Sequence, residues 1–167
     1  MLSNPKDGTQ TLKDKFTMKN FWILIMTFIL TTCGQDNDAQ NNLIESEAYL
    51  KNNLSNQGVI AVKPGLQYVI MKSGSGKTPA LSDMITADFH GTLKDGSVFW
   101  SSIDNGEPLT TKLSQLIPGC QETISLMSEG DSWRIFIHPD LAYGEAGRPG
   151  IPPNSALIFD ISLLAVN

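Results

Sequence analysis

The sequence predicts an α+β domain in which short antiparallel strands pack on one helix, behind an apolar N-terminal segment. Three observations predict it. The 167 residues include 14 Gly and 9 Pro, enough turn formers to favour short strands over a helix bundle. From Leu66 onward the apolar period is that of strands. Within that region only Pro118 to Met127 shows helical spacing. The length suits one domain with an appendage, and 41% hydrophobic against 17% charged residues suits an ordinary core.

The chain opens with a targeting pattern. Lys13, Lys15 and Lys19 precede the apolar run Phe21 to Leu30, and a polar segment follows. That run is too short to span a bilayer, which takes ~20 residues, and the order matches a secretory signal over residues 1–32. Met18 offers a start that leaves a compact basic flank, with 1–17 as an upstream extension. The run ends in Leu30-Thr31-Thr32-Cys33-Gly34, which resembles a bacterial lipobox, with Thr32 where Gly, Ala or Ser is usual. This implies lipidation at Cys33 and a mature chain that begins there. Gly34 is not the Asp that retains lipoproteins in the inner membrane, so the expectation is an outer-membrane or periplasmic-face anchor. From Cys33 onward 8 basic and 15 acidic residues remain, a net of −7. Cys120 is the one further thiol, which argues against an internal disulfide.

Residues 33–62 read as a linker. Gln35 to Asn42 is polar and expected to be a flexible tether. Leu43, Glu47, Leu50 and Leu54 recur at helical spacing, which predicts a short amphipathic helix over 43–54. Three turns are marginal as a dimer seam, so a monomer is expected. The folded domain is placed at 63–167. Its strands are Leu66 to Lys72, Asp83 to Leu93, Val98 to Ser101, Asp131 to His138 and Ala156 to Leu164. Lys94-Asp95-Gly96 reads as the turn of a hairpin. Pro118 suits the first turn of the helix running to Met127.

Several function classes are disfavoured. A formal net charge of −5 supplies no basic footprint for nucleic acid. Two His and two Cys do not make a zinc cluster, so no metal and no cofactor are expected. Gly76-Lys77-Thr78 ends like a P-loop, but Met71 stands where its first Gly belongs. There is no Gly-x-Ser-x-Gly elbow. His138 reads as an edge histidine, and His90 faces away from whatever Phe89 faces. Asp140 and Glu145 flank a loop with nothing else to support an acid–base pair.

The segment Leu141 to Asp160 (LAYGEAGRPGIPPNSALIFD) closely resembles the signature of FKBP-type peptidyl-prolyl cis-trans isomerases. Gly65 to Tyr68, Gly91 to Gly96, Ser101-Ser102, Gly106 to Leu109 and Ile117 to Gly119 fit the same family in order. The likeness covers 63–167 and is closest to the bacterial exported, macrophage-infectivity-potentiator-like branch. It implies a twisted antiparallel sheet wrapped over one short helix, and an isomerase that assists the folding of exported proteins. The implied partners are their proline-containing segments, with macrolide-type inhibitors as further ligands.

The resemblance also implies a site. Tyr143, Phe99, Ile117 and Phe159 occupy the catalytic positions, with Tyr143 the hydroxyl donor and Ile117 a backbone donor. Phe89, Trp100, Leu109, Leu116, Cys120 and Ile151 complete the substrate-binding walls. Taken singly, each apolar residue would be ordinary core; as an ordered set they read as a pocket. Two positions depart from the family pattern. Trp100 replaces an acid, and Cys120 replaces the tryptophan that floors the pocket. These departures predict reduced turnover. They also support a second reading, a catalytically weak chaperone or peptide-binding module on the same fold. A purely structural lipoprotein would not need the intact segment from Tyr143 to Phe159.

Overall fold

A computed structural model describes residues 33–167, with side chains from Asn37 onward. The expected signal segment, residues 1–32, and the side chain of Cys33 lie outside the described residues. The chain divides into two units, 1–38 and 39–167. Helix α1 is Cys33–Asn53, and no described helix is long and apolar enough to cross a membrane.

Seven strands form one sheet in 39–167: β1 (Ile60–Lys63), β2 (Leu66–Lys72), β3 (Met84–Leu93), β4 (Val98–Ser101), β5 (Leu109–Lys112), β6 (Ser132–Ile137) and β7 (Leu157–Val166). The order is β1-β2-β6-β7-β3-β4, with β5 also on β3, and every pairing is antiparallel. Between β4 and β5 lies the short helix α2 (Ser102–Asn105), and between β5 and β6 lies α3 (Pro118–Ile124). Pro118 takes the first turn of α3, where its missing N–H costs nothing.

Alternation decides which side of the sheet each residue serves. Trp133, Ile135 and Ile137 of β6 join Phe89, Phe159, Ile161 and the α3 residues Cys120 and Ile124 in the main core. Phe136 and Ile158 point to the opposite face, where Leu50 and Tyr49 of α1 cover them.

That second face accounts for two corrections. Gln35 to Asn42, read as a flexible tether, is helical. Composition alone would not hold it, because it has no apolar stripe. The helix is secured by tertiary bonds: Asn42 Nδ2 donates to the Pro153 carbonyl, Lys94 donates to Asn42 Oδ1, and Asn154 Nδ2 donates to the Ala39 carbonyl. Tertiary context here outweighs local preference. The buried stripe also differs from the expected one. Glu47 and Leu54 are exposed, and Ser46, Leu50 and Asn53 are buried. Strands β1 and β5, absent from the sequence reading, are four-residue edges, too short for a periodic pattern to stand out in the sequence.

The buried polar groups of α1 are matched. Asn53 Nδ2 donates to Gln67 Oε1 at 2.9 Å, and Gln67 Nε2 donates to the Leu50 carbonyl at 2.8 Å. Ser46 Oγ donates to the Asn154 carbonyl at 2.8 Å and accepts from the Ala156 N–H at 3.0 Å. Asn154 holds a left-handed backbone, φ 56°, which Asn tolerates better than most residues. Ser46→Ala strips a partner from both groups. An unmatched buried group costs ~1–3 kcal/mol, so urea unfolding should show a loss in that range, with the slope unchanged.

Candidate functional site

The site is built from one end of the sheet. Strand β3 carries Phe89 at its centre and Gly91 two residues on, both facing the core. Gly91 pairs with Phe159 of β7 on one side and with Trp100 of β4 on the other. A Cβ at Gly91 would stand 2.6 Å from Phe99 Cζ and 2.9 Å from Phe159 Cε1, so only glycine lets those rings close over the strand. The Phe99 and Phe159 rings meet edge to face, 5.3 Å between centroids at 90°. Phe89 meets Phe159 in the same way at 6.2 Å and 84°.

The β3–β4 register slips between Gly91 and Thr92. Phe99 is the extra residue on β4, and such a bulge re-aims side chains. Consecutive residues Phe99 and Trp100 therefore both reach the same cavity. After β5, a 3₁₀ turn at Leu113–Gln115 delivers Leu116 and Ile117 to the start of α3, and α3 brings Cys120. The loop after β6 contributes Tyr143 and Ile151. Gly147 has φ 57°, and a Cβ there would meet the Ile151 carbonyl oxygen at 2.5 Å. The loop is closed by reciprocal bonds between Arg148 and Ile151, at 2.9 and 2.8 Å.

These pieces enclose an open cleft of about 490 Å³. All ten residues assigned to the site on the resemblance line it: Tyr143, Phe99, Ile117, Phe159, Phe89, Trp100, Leu109, Leu116, Cys120 and Ile151. Cys120 lines it and is almost fully buried. Trp100 stands on the rim, 37% exposed, with its ring tilted 52° against Phe89.

Three lining residues escaped the sequence reading: Gln115, Arg148 and Pro149. Arg148 had a usable signal, since it is the only Lys or Arg after Arg134 and falls inside the signature segment. Its Nη1 donates to Tyr143 Oη at 2.8 Å, and its guanidinium lies 4.9 Å from the centroid of the Tyr143 ring. The Tyr143 hydroxyl proton and the Ile117 N–H make no hydrogen bond among the described residues. Two donors without an internal partner therefore belong to residues lining a mostly aromatic and aliphatic cleft, with Gln115 and Arg148 as its other polar side chains. No group of three His, Cys, Asp or Glu among the described residues is placed to hold a metal ion.

Residues 75–164 match the family described as FKBP-type peptidyl-prolyl cis-trans isomerase. Residues 6–70 match the domain amino terminal to FKBP-type peptidyl-prolyl isomerase. The chain is 43% identical over 137 residues to the FKBP-type peptidyl-prolyl cis-trans isomerase FkpA of Aeromonas hydrophila, covering 82% of this chain and 51% of that protein. It is 43% identical over 129 residues to the outer membrane protein MIP of Legionella longbeachae, covering 77% of this chain and 55% of the other. The crystal structure of FkpA from Escherichia coli superposes with a TM-score of 0.80 at 34% identity, over 97% of this chain and 75% of that one. The chain thus spans about half the length of these two sequence relatives.

Burial pushes the Cys120 thiol well above its ordinary value of 9.0. Only the unfolded chain then loses this proton as pH rises past that value. The folded state binds more protons there, so stability falls with pH, by up to about 1.4 kcal/mol per pH unit from this group. Cys120→Ala should flatten the decline between about pH 9 and 11, measured by urea unfolding against wild type. Equal slopes in the two proteins would show that the thiol does not titrate differently on unfolding.

Proposed function

The chain belongs to the FKBP-type peptidyl-prolyl cis-trans isomerase family, and from that premise we propose that it isomerises X-Pro bonds in exported proteins and so assists their folding. The carrying observation is the apolar aromatic cleft with two unengaged donors, the Tyr143 hydroxyl and the Ile117 N–H, on its lining. An X-Pro bond must be twisted over a barrier of ~18–20 kcal/mol, and unaided this takes tens of seconds or more. No bond breaks, so no nucleophile is needed. A catalyst has only to hold the twisted amide better than the planar one.

The twisted amide loses its resonance charge separation. An apolar surround therefore suits it better than water does. In this reading Phe99, Phe159, Ile151, Leu109 and Phe89 wall the proline ring, with Leu116 and Trp100 extending the contact along the chain. Tyr143 donates to the carbonyl of the residue before proline, and Ile117 N–H takes a neighbouring carbonyl. Arg148, donating onto Tyr143 Oη, leaves the tyrosine proton free and more strongly polarised toward that carbonyl. The second reading, a weakly active binding module, is favoured by one specific feature: a thiol at the floor in place of a flat aromatic ring.

The similarity to a protein named as an outer membrane protein points to the cell envelope. We place the chain there by lipid on Cys33 after removal of residues 1–32, as a monomer. One acyl chain binds a bilayer weakly, whereas a multiply acylated terminus stays put.

Two tests follow. In a protease-coupled proline-peptide assay the chain should accelerate isomerisation, and Tyr143→Phe and Phe159→Ala should each lower kcat/KM about tenfold, or about 1.4 kcal/mol. No acceleration by wild type on several X-Pro peptides would hand the cleft to the binding-module reading. In fractionated cells, Cys33→Ser should move the protein from the membrane to the soluble fraction, and unchanged retention would rule out lipid at Cys33 as the anchor.

A further inference from the structure

We propose that Arg148 makes the cleft selective for charge, favouring prolyl bonds preceded by a residue with a carboxylate side chain. The proposal rests on the isomerase reading of the cleft and names the substrate class that reading leaves open.

Of the thirteen residues lining the cleft, Arg148 is the only charged one. It is exposed, so substrate can reach it. Its ion-pairing capacity is unused: no carboxylate lies within 4.0 Å of it among the described residues, although Lys63, Lys77, Lys94 and Arg134 are so paired. Even Glu145, three residues away on the same loop, makes no ion pair with it. A guanidinium carries five N–H donors in a planar fork. One is spent on Tyr143 Oη at 2.8 Å, and the group rests 4.9 Å from the centroid of that ring. The stacking orients the fork, and the remaining N–H groups can receive a carboxylate side-on.

Position then selects the substrate residue. Tyr143 Oη is the atom assigned to the carbonyl of the residue before proline, and Arg148 Nη1 touches that same oxygen. The side chain belonging to that carbonyl therefore emerges beside the guanidinium. Glu is long enough to turn its carboxylate onto the fork while its carbonyl stays on the tyrosine. The field of the whole chain works the other way, because a net charge of −5 repels acidic peptides at long range. Any acidic preference must then come from a local contact, and Arg148 is the one charged group available in the cleft.

The test uses the full chain and four peptides that differ only before proline, with Glu, Gln, Leu or Lys. Affinity is read by calorimetry and kcat/KM by the coupled assay, at low and high salt. Exposed pairs contribute modestly, so Glu should exceed Gln about three- to fivefold at low salt, with Lys below Gln. The ratio should shrink as salt rises. Arg148→Gln should bring the Glu to Gln ratio to one or below, and Arg148→Lys should restore part of it. A residue that merely orients Tyr143 would change all four peptides alike. A wild-type ratio of one, or a ratio unchanged in Arg148→Gln, overturns the proposal. Charge-selective binding without turnover would keep it and remove the isomerase reading, whereas binding of no peptide would remove both.

Discussion

The antiparallel ladder between β3 and β7 sets Gly91 opposite Phe159, Phe89 opposite Ile161 and Leu93 opposite Leu157. The side-chain period of a strand is two, so a slip of one residue would turn each of these to the other face. Phe89 and Phe159 would leave the cleft together, and Gly91 would no longer sit beneath the crossing rings of Phe99 and Phe159. The cleft is therefore a consequence of register before it is a consequence of side-chain choice. β7 is well placed to hold that register, because it is flanked by β6 on its other edge, with Ile135 opposite Phe159. An exposed bidentate pair, Arg134 to Asp160 at 2.6 and 2.7 Å, spans those two strands on the outer side.

A sheet that shapes a cleft on one face leaves the other face apolar. Here Phe136 and Ile158 would be exposed without Leu50 and Tyr49 of α1. The same helix reaches the loop of the site: Ser46 binds both Asn154 and Ala156, and Asn154 N–H donates to the Gly144 carbonyl at 2.8 Å, next to Tyr143. The hydroxyl of the site is thus braced through two hydrogen bonds from a helix on the far side of the sheet. Covering the second face and steadying the loop are one structural act.

This explains what could be read from the chain and what could not. Strand β3 alternates cleanly, because burial on one face imposes period two, whereas β2 does not alternate and β6 and β7 lose the period where α1 covers the second face, so these three were legible as apolar runs bounded by turn residues. The cleft residues were legible as an ordered set, through the resemblance, although each alone is an ordinary apolar residue. The first half of α1 was not legible. Its Asn and Asp residues look like a tether, and the bonds that hold Asn42 and Ala39 come from Lys94, Pro153 and Asn154, far along the chain. Glu47 and Leu54 fitted a helical stripe but face solvent, whereas Ser46 and Asn53 are buried because each finds polar partners there. Polar burial leaves no mark in a hydropathy pattern. Arg148 was overlooked for a related reason: a cation in a glycine-rich loop looks like surface until its contact with Tyr143 is seen.

The remaining tension in the site lies between its walls and its floor. An indole presents ~200 Å² of surface, and roughly a third of it would face a proline ring held above it. At ~25 cal/mol per Å² that contact is about 1.5 kcal/mol, or tenfold in affinity. Cys120 forgoes most of this, and Trp100 is 37% exposed with its ring tilted against Phe89. The loss falls on planar and twisted amides alike, since the proline ring itself does not change shape as the bond turns. A shallower floor therefore weakens binding of substrate more than it slows the bound step. On the proposed isomerase reading the step itself depends on groups that distinguish the two states, the apolar walls around the amide and the donors of Tyr143 and Ile117, all of which belong to residues lining the cleft. A thiol floor is for that reason compatible with catalysis at high substrate concentration. On the same reading it would shift selectivity away from the proline ring and toward the residues that flank it.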